Sequence, residues 1–279
     1  MPVASRAGNE ATDSERENVM SIVWAIANQK GGVGKSTVAV NLAAVLGSSG
    51  CRTLVCDLDP QGNAGDMLGA NIAGKLSLCH VFEGRATVTD ARLINVAEGV
   101  DLVPAGEDSR LSGVEQGLVR VPARERWLSR TLDGQVDEYE YVILDCPPGL
   151  GQLTTNALVA ADRLIAPVRM TDRNAVKGLN ELFRSIVELR EVGFDVAIPE
   201  VLRVAADDRL LTVQSARHQL AALSLPALAT EIPKTEAISN AVTEGLPIVL
   251  REPRHDGARA FVALAHELVP ALANAAVAA

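Results

Sequence analysis

The sequence predicts an α/β fold, in which a doubly wound and mostly parallel sheet carries helices on both faces. Seven short apolar runs alternate with segments of helical periodicity through the whole length. The runs are uniformly apolar, as expected for strands that are covered on both faces. A glycine-rich turn stands between the first run and the first helical segment, which is the arrangement of a P-loop nucleotide-binding domain. Alternating strands and helices of this kind build a parallel sheet from right-handed βαβ units.

Each predicted strand is a short apolar run, and each predicted helix carries apolar residues at helical spacing. The strands are Ile22–Ala27, Thr53–Cys56, Val100–Val103, Tyr141–Leu144, Arg163–Pro167, Val201–Ala205 and Ala227–Ile232. The helices between them are Lys35–Ser48, Ala123–Leu132, Thr154–Ala160, Ala175–Leu189 and Val213–Leu223. The last stretch, Gly257–Ala279, is rich in alanine and predicts a helix packed on the sheet. It carries almost no basic charge beyond Arg259, which is not the composition of a membrane-binding helix.

The composition is that of a globular chain with a large core. The 279 residues are 48% hydrophobic, and no repeat, linker or sharp change of composition follows residue 20. We therefore expect residues 21–279 to form a single domain. Residues 1–20 are polar and mixed in charge, which predicts a disordered N-terminal extension.

Cysteine usage and hydropathy predict a cytoplasmic protein. The four cysteines show no C-x-x-C spacing, and Cys56 and Cys146 lie inside apolar runs that are typical of buried strands. The sequence has no run of eighteen apolar residues and no apolar segment near its start, so no membrane association is expected. The formal net charge of −9 argues weakly against a protein coated in nucleic acid, although a local basic cluster can still bind phosphates.

A phosphate site is predicted where the first strand turns into the first helix. The stretch from Ala27 to Ala43 nearly fits G-x-x-x-x-G-K-[ST], but Gln29 replaces the first glycine and Lys30 follows it. Glycines let several N–H groups face one phosphate, and the helix N-terminus adds its positive end. In this motif Lys35 lies against the β- and γ-phosphates. The predicted phosphate contacts also include Gly31, Gly32, Val33 and Gly34, with the Ser36 hydroxyl on Mg²⁺ and Thr37 near the α-phosphate.

Three aspartates are predicted at the same edge of the sheet. Asp57 ends one strand, Asp59 follows it, and Asp145 ends another strand. Ligands in open α/β sheets bind at the carboxyl ends of strands, so these acids should converge on the P-loop. Any one of them alone could cap a loop, but three together would repel one another without a cation. The set therefore favours magnesium binding and the handling of water.

Three segments together resemble a known family. KGGVGKST at Lys30–Thr37, CDLDPQGNA at Cys56–Ala64 and LDCPPGLG at Leu144–Gly151 are similar to the deviant Walker A, A′ and B motifs of the ParA/Soj partitioning ATPases, within the MinD/ParA group. The similarity extends from about Val19 to Pro253 and includes IPKTEAISNAVTEGLPI late in the chain.

The resemblance implies the cofactors ATP and Mg²⁺ and a homodimer that sandwiches two ATP molecules. Lys30 would cross the dimer interface to the partner's nucleotide, which explains the second lysine of the loop. Asp59 would orient the attacking water, and Lys30 with Lys35 would neutralise the transferring phosphoryl group. Asp57 and Asp145 would hold Mg²⁺ through its water shell. Adenine recognition would use Ile232, Pro233 and Lys234, and hydrolysis would be slow and stimulated by a partner.

The resemblance also implies DNA segregation. The ATP dimer would bind DNA without sequence preference, and a ParB-like centromere-binding protein would stimulate hydrolysis on the nucleoid. The candidate DNA contacts are Arg203, Arg209, Arg217, Lys234, Arg251 and Arg254, of which Arg209 and Lys234 best match the family positions. One departure is Gly149, where the family usually has a serine, and its consequence for the switch loop is open.

Three alternatives remain at this stage. A MinD-like membrane-cycling regulator would need a basic amphipathic C-terminal helix, which the Ala-rich ending does not supply. An orphan relative of the ParA group could act on a different cargo. A metabolic P-loop enzyme or an iron–sulfur electron donor could share the fold, although Cys79 and Cys146 do not stand in the motif contexts of such donors.

Overall fold

The strands form one eight-stranded sheet, in which seven strands are parallel and one edge strand is antiparallel. The computed structural model describes residues 21–107, 110–172, 174–207 and 209–275, so the predicted disordered extension lies outside the described residues. The strands are β1 (Ile22–Ile26), β2 (Thr53–Asp57), β3 (Leu93–Ala97), β4 (Val100–Val103), β5 (Tyr141–Asp145), β6 (Arg163–Arg169), β7 (Pro199–Ala206) and β8 (Ala227–Pro233). Their order across the sheet is β3-β4-β2-β5-β1-β6-β7-β8.

Helices cover both faces of this sheet. They are α1 (Lys35–Ser48), α2 (Asn63–Met67), α3 (Leu78–Phe82), α4 (Val88–Ala91), α5 (Arg110–Leu118), α6 (Trp127–Leu132), α7 (Gln152–Ala160), α8 (Lys177–Glu191), α9 (Leu211–Ala221), α10 (Glu236–Thr243), α11 (Ile248–Arg251), α12 (Asp256–Leu268) and α13 (Pro270–Ala275). A short 3₁₀ helix, Arg124–Arg126, precedes α6.

Two hydrophobic layers confirm the doubly wound architecture. Ala25 and Ala27 pack into one layer, with residues of α6, α7 and α8. Trp24 and Ile26 pack into the other layer, with residues of α1 and α12. Successive residues of a strand point to opposite faces, so a strand buried on both sides has no polar position in its middle. This is why the uniformly apolar runs predicted a parallel sheet.

The seven predicted strands all occur within a few residues of their expected bounds, and β3 was missed. This edge strand is half exposed, and Ile94 on it is 72% exposed. Its neighbour Asn95 has a φ of 54°, which bends the strand and shifts its register against β4. A short edge strand with one exposed side lacks the apolar run on which the prediction depended.

The prediction of one continuous helix over Gly257–Ala279 is wrong at its end. Helix α12 stops at Leu268, and a second helix starts at Pro270. Proline has no N–H to donate to the preceding turn, and its ring clashes with that turn's carbonyl, so it begins a new helix. The predicted packing on the sheet is present, because Phe261 and Leu264 of α12 are buried in the layer with α1. Residues 276–279 of the predicted helix lie outside the described residues.

Candidate nucleotide site

The P-loop connects β1 to α1 at the carboxyl edge of the sheet. Helix α1 begins at Lys35, and Gly34 before it has a φ of 96°, a conformation that favours glycine. Among the described residues no side chain caps this helix, so the N–H groups of its first turn are available to a phosphate. The Arg169 guanidinium, at the end of β6, donates to the carbonyl of Gly32 over 3.1 Å and supports the loop from one side.

Lys35 is buried among carboxylates. The residue is 6% exposed, and its ammonium lies 3.4 Å from the carbonyl oxygen of Lys30. Burial lowers the pKa of Lys35, while Asp145, Cys146 and Asp59 act to raise it. An ammonium held here is close to the first turn of α1, where the motif requires it to meet the β- and γ-phosphates.

Asp57 and Asp145 lie side by side on neighbouring strands. They are register partners of β2 and β5, and both are fully buried. The Asp57 carboxylate accepts hydrogen bonds from the N–H groups of Asp59 (3.1 Å) and Ala64 (3.0 Å). Burial raises the pKa of Asp57, and the neighbouring Asp145 raises it further. Two buried carboxylates this close are stable together only with a proton or a cation between them.

Asp145 is a buried carboxylate whose hydrogen-bonding capacity is not satisfied. Within the described part of the chain, neither of its carboxylate oxygens has a hydrogen-bond donor in suitable geometry. Burial raises the pKa of Asp145 to about 7, although the nearby Ser36 hydroxyl and the Lys35 ammonium lower it. A buried carboxylate without a donor is costly, and it is the kind of group that a bound ion or its water would satisfy.

The residues present fit a magnesium ion held mainly by ligands other than protein. No three His, Cys, Asp or Glu side chains of the described residues come together as a complete metal site. Mg²⁺ usually takes only one or two protein ligands and completes its octahedron with phosphate oxygens and water. Ser36 and the free oxygens of Asp145 could supply that share, with Asp57 beside them. When bound, the ion would neutralise charge on the phosphates.

Asp59 follows β2 and stays near the same point. It is 6% exposed, and its carboxylate accepts the N–H of Gln61 over 3.0 Å. This bond fixes one carboxylate oxygen and leaves the other oxygen for a water molecule. Asp59 also influences the pKa values of Lys35 and Asp145, which places it within electrostatic reach of both. The structure thus brings together the three predicted aspartates and the P-loop lysine.

A cavity of about 480 Å³ opens beside the P-loop and includes the predicted adenine residues. Thr37 lines it from α1, and Ile232, Pro233 and Lys234 line it from the end of β8. Sequence reasoning missed other residues of its wall that follow the carboxyl ends of strands, where ligands of α/β sheets bind. These are Arg169 at the end of β6, Asp207 after β7, and Thr235 and Glu236 after β8.

The backbone conformation of Gly149 explains why this chain has glycine where the family usually has serine. Its φ is 104°, a value that side-chain-bearing residues rarely adopt. In this conformation its N–H donates to the carbonyl of Gln29 over 3.0 Å, and the Thr154 hydroxyl donates to its carbonyl over 3.0 Å. The loop that follows Asp145 is therefore fastened to the P-loop at Gly149. A serine at this position would strain that connection.

The six predicted DNA contacts fall in three places, and most have acidic partners. Arg203 and Arg217 both pair with Glu231, at 2.6 and 2.5 Å. Arg209 and Lys234 line the nucleotide cavity, where Arg209 pairs with Asp207 at 2.8 Å. The remaining two lie at the end of α11 and just after it: Arg251 pairs with Glu244 at 2.5 Å, and Arg254 is exposed.

Comparisons with known proteins agree with this geometry. A family model described as an AAA domain matches residues 21–196. The sporulation initiation inhibitor protein Soj of Bacillus subtilis is 37% identical over 89% of this chain and 98% of its own. The chromosome partitioning protein ParA of Caulobacter vibrioides is 36% identical over 88% of this chain and 93% of its own. This chain belongs to the ParA/Soj family of P-loop ATPases.

A crystal structure described as cobyrinic acid a,c-diamide synthase from Mycobacterium smegmatis, with an ATP analogue and magnesium bound, superposes with a TM-score of 0.77. It is 31% identical and covers 90% of this chain and 95% of its own.

The two lysines of the P-loop lie in different surroundings. Lys30, the second lysine of the loop, has its ammonium 2.9 Å from the carboxylate of Asp172 in the same chain. Both side chains are about one-third exposed, at 33% and 34%. Lys30 therefore lies at the surface of the site, whereas Lys35 lies inside it.

Replacing Asp145 by asparagine should stabilise the nucleotide-free and magnesium-free protein above neutral pH. Burial raises the pKa of this carboxyl from 3.8 to about 7, so the folded chain binds the proton more tightly than the unfolded chain. The resulting stability is fully present below the unfolded value and is lost as pH rises through about 7. At about pH 8.5 in a chelator, the free energy of unfolding of Asp145→Asn should exceed that of wild type by more than about 1 kcal/mol.

The comparison of wild type with Asp145→Asn at low pH is the control for this prediction. The difference in urea unfolding should shrink as pH falls from about 7, and it should nearly disappear below 3.8, where the carboxyl is protonated in the folded and the unfolded state. Adding Mg²⁺ and a non-hydrolysable ATP analogue at high pH should stabilise wild type more than the variant. A wild type that is more stable than Asp145→Asn at high pH in chelator would contradict the unsatisfied buried carboxylate.

Proposed function

We propose that this chain is an ATP-dependent dimerising ATPase that binds DNA without sequence preference and drives chromosome or plasmid segregation with a ParB-like partner. The observation that carries the proposal is that the two P-loop lysines differ in burial. Lys35 is buried beside the aspartates of its own site, whereas Lys30 is at the surface, from which it can reach a second molecule. One P-loop ATPase domain over residues 21–279 remains part of the proposal.

ATP and Mg²⁺ are the proposed cofactors, and each site residue takes the role that its position supports. The backbone of Gly31, Gly32, Val33 and Gly34 and the first turn of α1 surround the phosphates. Ser36, Asp57 and Asp145 hold the magnesium ion and its water, and Asp59 orients the attacking water. Positive charge from Lys35 and from the partner's copy of Lys30 neutralises the transferring group. The bound nucleotide would lie between the subunits, so loss of the γ-phosphate would release the dimer.

A proposed DNA surface follows from the basic residues near the nucleotide cavity and the end of α11. Among the described residues Arg209 pairs with Asp207, and its side chain is 90% exposed, so it can exchange partners at little cost. Arg203 and Arg217 share Glu231, which makes them weaker candidates than Arg209 and Lys234. Binding through DNA phosphates would hold the ATP-bound form on the nucleoid, within the cytoplasm. Such binding would require no base-specific contact.

The membrane alternative gains no support from α12. Its apolar residues, including Phe261 and Leu268, are already buried against α1 and the sheet. No helix of the described residues is long and apolar enough to cross a membrane. The iron–sulfur alternative would need accessible thiols, but Cys79 and Cys146 are 1% and 0% exposed. The synthase structure supports a metabolic alternative, which predicts a protein that binds ATP but does not retain DNA.

Lys30→Ala should bind ATP but should fail to dimerise on it. Lys35 remains to hold the nucleotide, whereas the triphosphate interface loses one cation from each side and retains anionic oxygens without a partner. Sedimentation of the protein with a non-hydrolysable ATP analogue measures the effect, and we expect dimer affinity to fall by at least about 30-fold, or about 2 kcal/mol. Lys75→Ala, which removes an exposed lysine from the loop between α2 and α3, is the matched control and should dimerise normally. A Lys30→Ala protein that dimerised like wild type would refute the proposed role.

DNA retention by the ATP-bound form should fall steeply with salt. The logarithm of the binding constant should decrease by about 0.9 for each phosphate neutralised per tenfold rise in salt. Arg209→Ala and Arg254→Ala should each reduce the salt slope by about 1, on any DNA sequence. Arg85→Ala removes an exposed arginine that pairs with Glu83 elsewhere on the surface, and this control should leave the slope unchanged. Retention that did not respond to salt would count against phosphate-based binding.

A further inference from the structure

The backbone at Lys30 is fixed, so only the end of its side chain can change partners. The Lys30 N–H donates to the Asn28 side-chain carbonyl over 3.0 Å, and the Lys30 carbonyl accepts from the Lys35 ammonium over 3.4 Å. Gly178 of α8 packs against the same residue. A Cβ added to Gly178 would lie 2.9 Å from the Lys30 Cβ and 2.5 Å from the Asn28 oxygen. The stem of Lys30 is thus fixed between the P-loop and α8, and its ammonium reaches outward to Asp172.

The turn that carries Asp172 touches the P-loop at two points. Asp172 donates its N–H to the carbonyl of Arg169 over 3.1 Å, which closes a tight turn after β6. From this turn Arg169 holds the Gly32 carbonyl, and the Asp172 carboxylate holds the Lys30 ammonium at 2.9 Å. The carboxylate therefore stands on a well-supported turn, and its position does not depend on the lysine alone.

The ion pair is weak enough to exchange. Both side chains are about one-third exposed, and pairs of this exposure contribute little because water and salt screen them. A triphosphate enclosed between two subunits carries several negative charges in a site with less water, so it attracts an ammonium more strongly than one exposed carboxylate does. Lys30 can then leave Asp172 when a partner's nucleotide comes within reach.

We infer that Asp172 is a positioning residue that holds Lys30 in its own subunit and opposes dimer closure until the partner's nucleotide replaces it. The inference rests on the proposed function, in which Lys30 acts on the nucleotide of the neighbouring copy. Each subunit must break its own Lys30–Asp172 pair as the dimer forms. The released carboxylate also stays beside the interface as an unpaired anion, which disfavours the closed state further.

The inference predicts a gain of association when the acid is removed. Asp172→Asn keeps the shape of the side chain and removes its charge, so dimer affinity with a non-hydrolysable ATP analogue should increase. Two pairs of this exposure in a symmetric dimer give an expected decrease of the dimer Kd by about 2- to 30-fold, measured by sedimentation equilibrium. Damage to the fold would weaken association, so the direction of the change separates positioning from a structural role.

Four further variants complete the test. Asp172→Ala should tighten the dimer as Asp172→Asn does, and Asp172→Glu should keep the wild-type affinity because it keeps the charge. Asp137→Asn makes the same charge change at an exposed residue near the amino end of β5, and it should have no effect. The double variant Lys30→Ala with Asp172→Asn should dimerise as poorly as Lys30→Ala alone. A double variant that dimerised tightly would overturn the inference, since the gain would not act through Lys30.

The outcomes separate this inference from the proposed function. If wild type dimerises on ATP, Lys30→Ala does not, and Asp172→Asn matches wild type or binds its partner more weakly, the inference is overturned and the proposed function stands. If neither wild type nor Asp172→Asn dimerises on ATP, both are overturned. A tighter Asp172→Asn dimer, together with an inert Asp137→Asn, supports the inference.

Discussion

The main constraint on this structure is a pair of buried carboxylates at the carboxyl ends of the central strands. Strand β5 lies between β1 and β2, so Asp145 faces Asp57 in register, and the P-loop that follows β1 leads to Lys35 beside Asp145. Burial alone would make this arrangement unfavourable. The buried ammonium of Lys35 compensates only part of the charge, and the oxygens of Asp145 remain without a donor among the described residues. A site of this kind gains most when a cation and a phosphate arrive together, because each satisfies charges that the other cannot.

The two lysines of the P-loop differ in burial, and this difference separates their roles. Lys35 enters the site from the first turn of α1, where it is enclosed by the carboxyl ends of the central strands. Lys30 precedes the glycines, and the close packing of Gly178 fixes its stem while its ammonium reaches outward to Asp172. The same residue type thus acts inside its own subunit at one position and is presented to the outside at the other. The distinction arises from the path of the backbone, since both side chains carry the same ammonium.

The P-loop, the strand-end aspartates and the alternation of strands and helices were all visible in the sequence, because each depends on residues that are close along the chain. The strand β3 was not visible, because Ile94 and Asn95 lie at a half-exposed and bent edge. The break before Pro270 followed from a local signal that the apolar periodicity obscured. The acidic partners of Arg203, Arg209 and Arg251 could be foreseen only where the two residues are neighbours in the sequence. Glu231, by contrast, meets its arginines only through the pairing of β7 with β8 and the position of α9.

The sequence by itself determined the fold class, the motif order and the residue types of the nucleotide site, because apolar periodicity and glycine-rich turns act over a few residues. Only the tertiary structure decided which charges meet. Asp145, at the end of the central strand β5, has no hydrogen-bond donor among the described residues, and Lys30 meets Asp172 because the turn after β6 folds against the P-loop. Gly149 fastened the switch loop to Gln29 because its backbone adopts a φ of 104°. These contacts join residues far apart in the chain, and their geometry is set by the packing of the whole sheet.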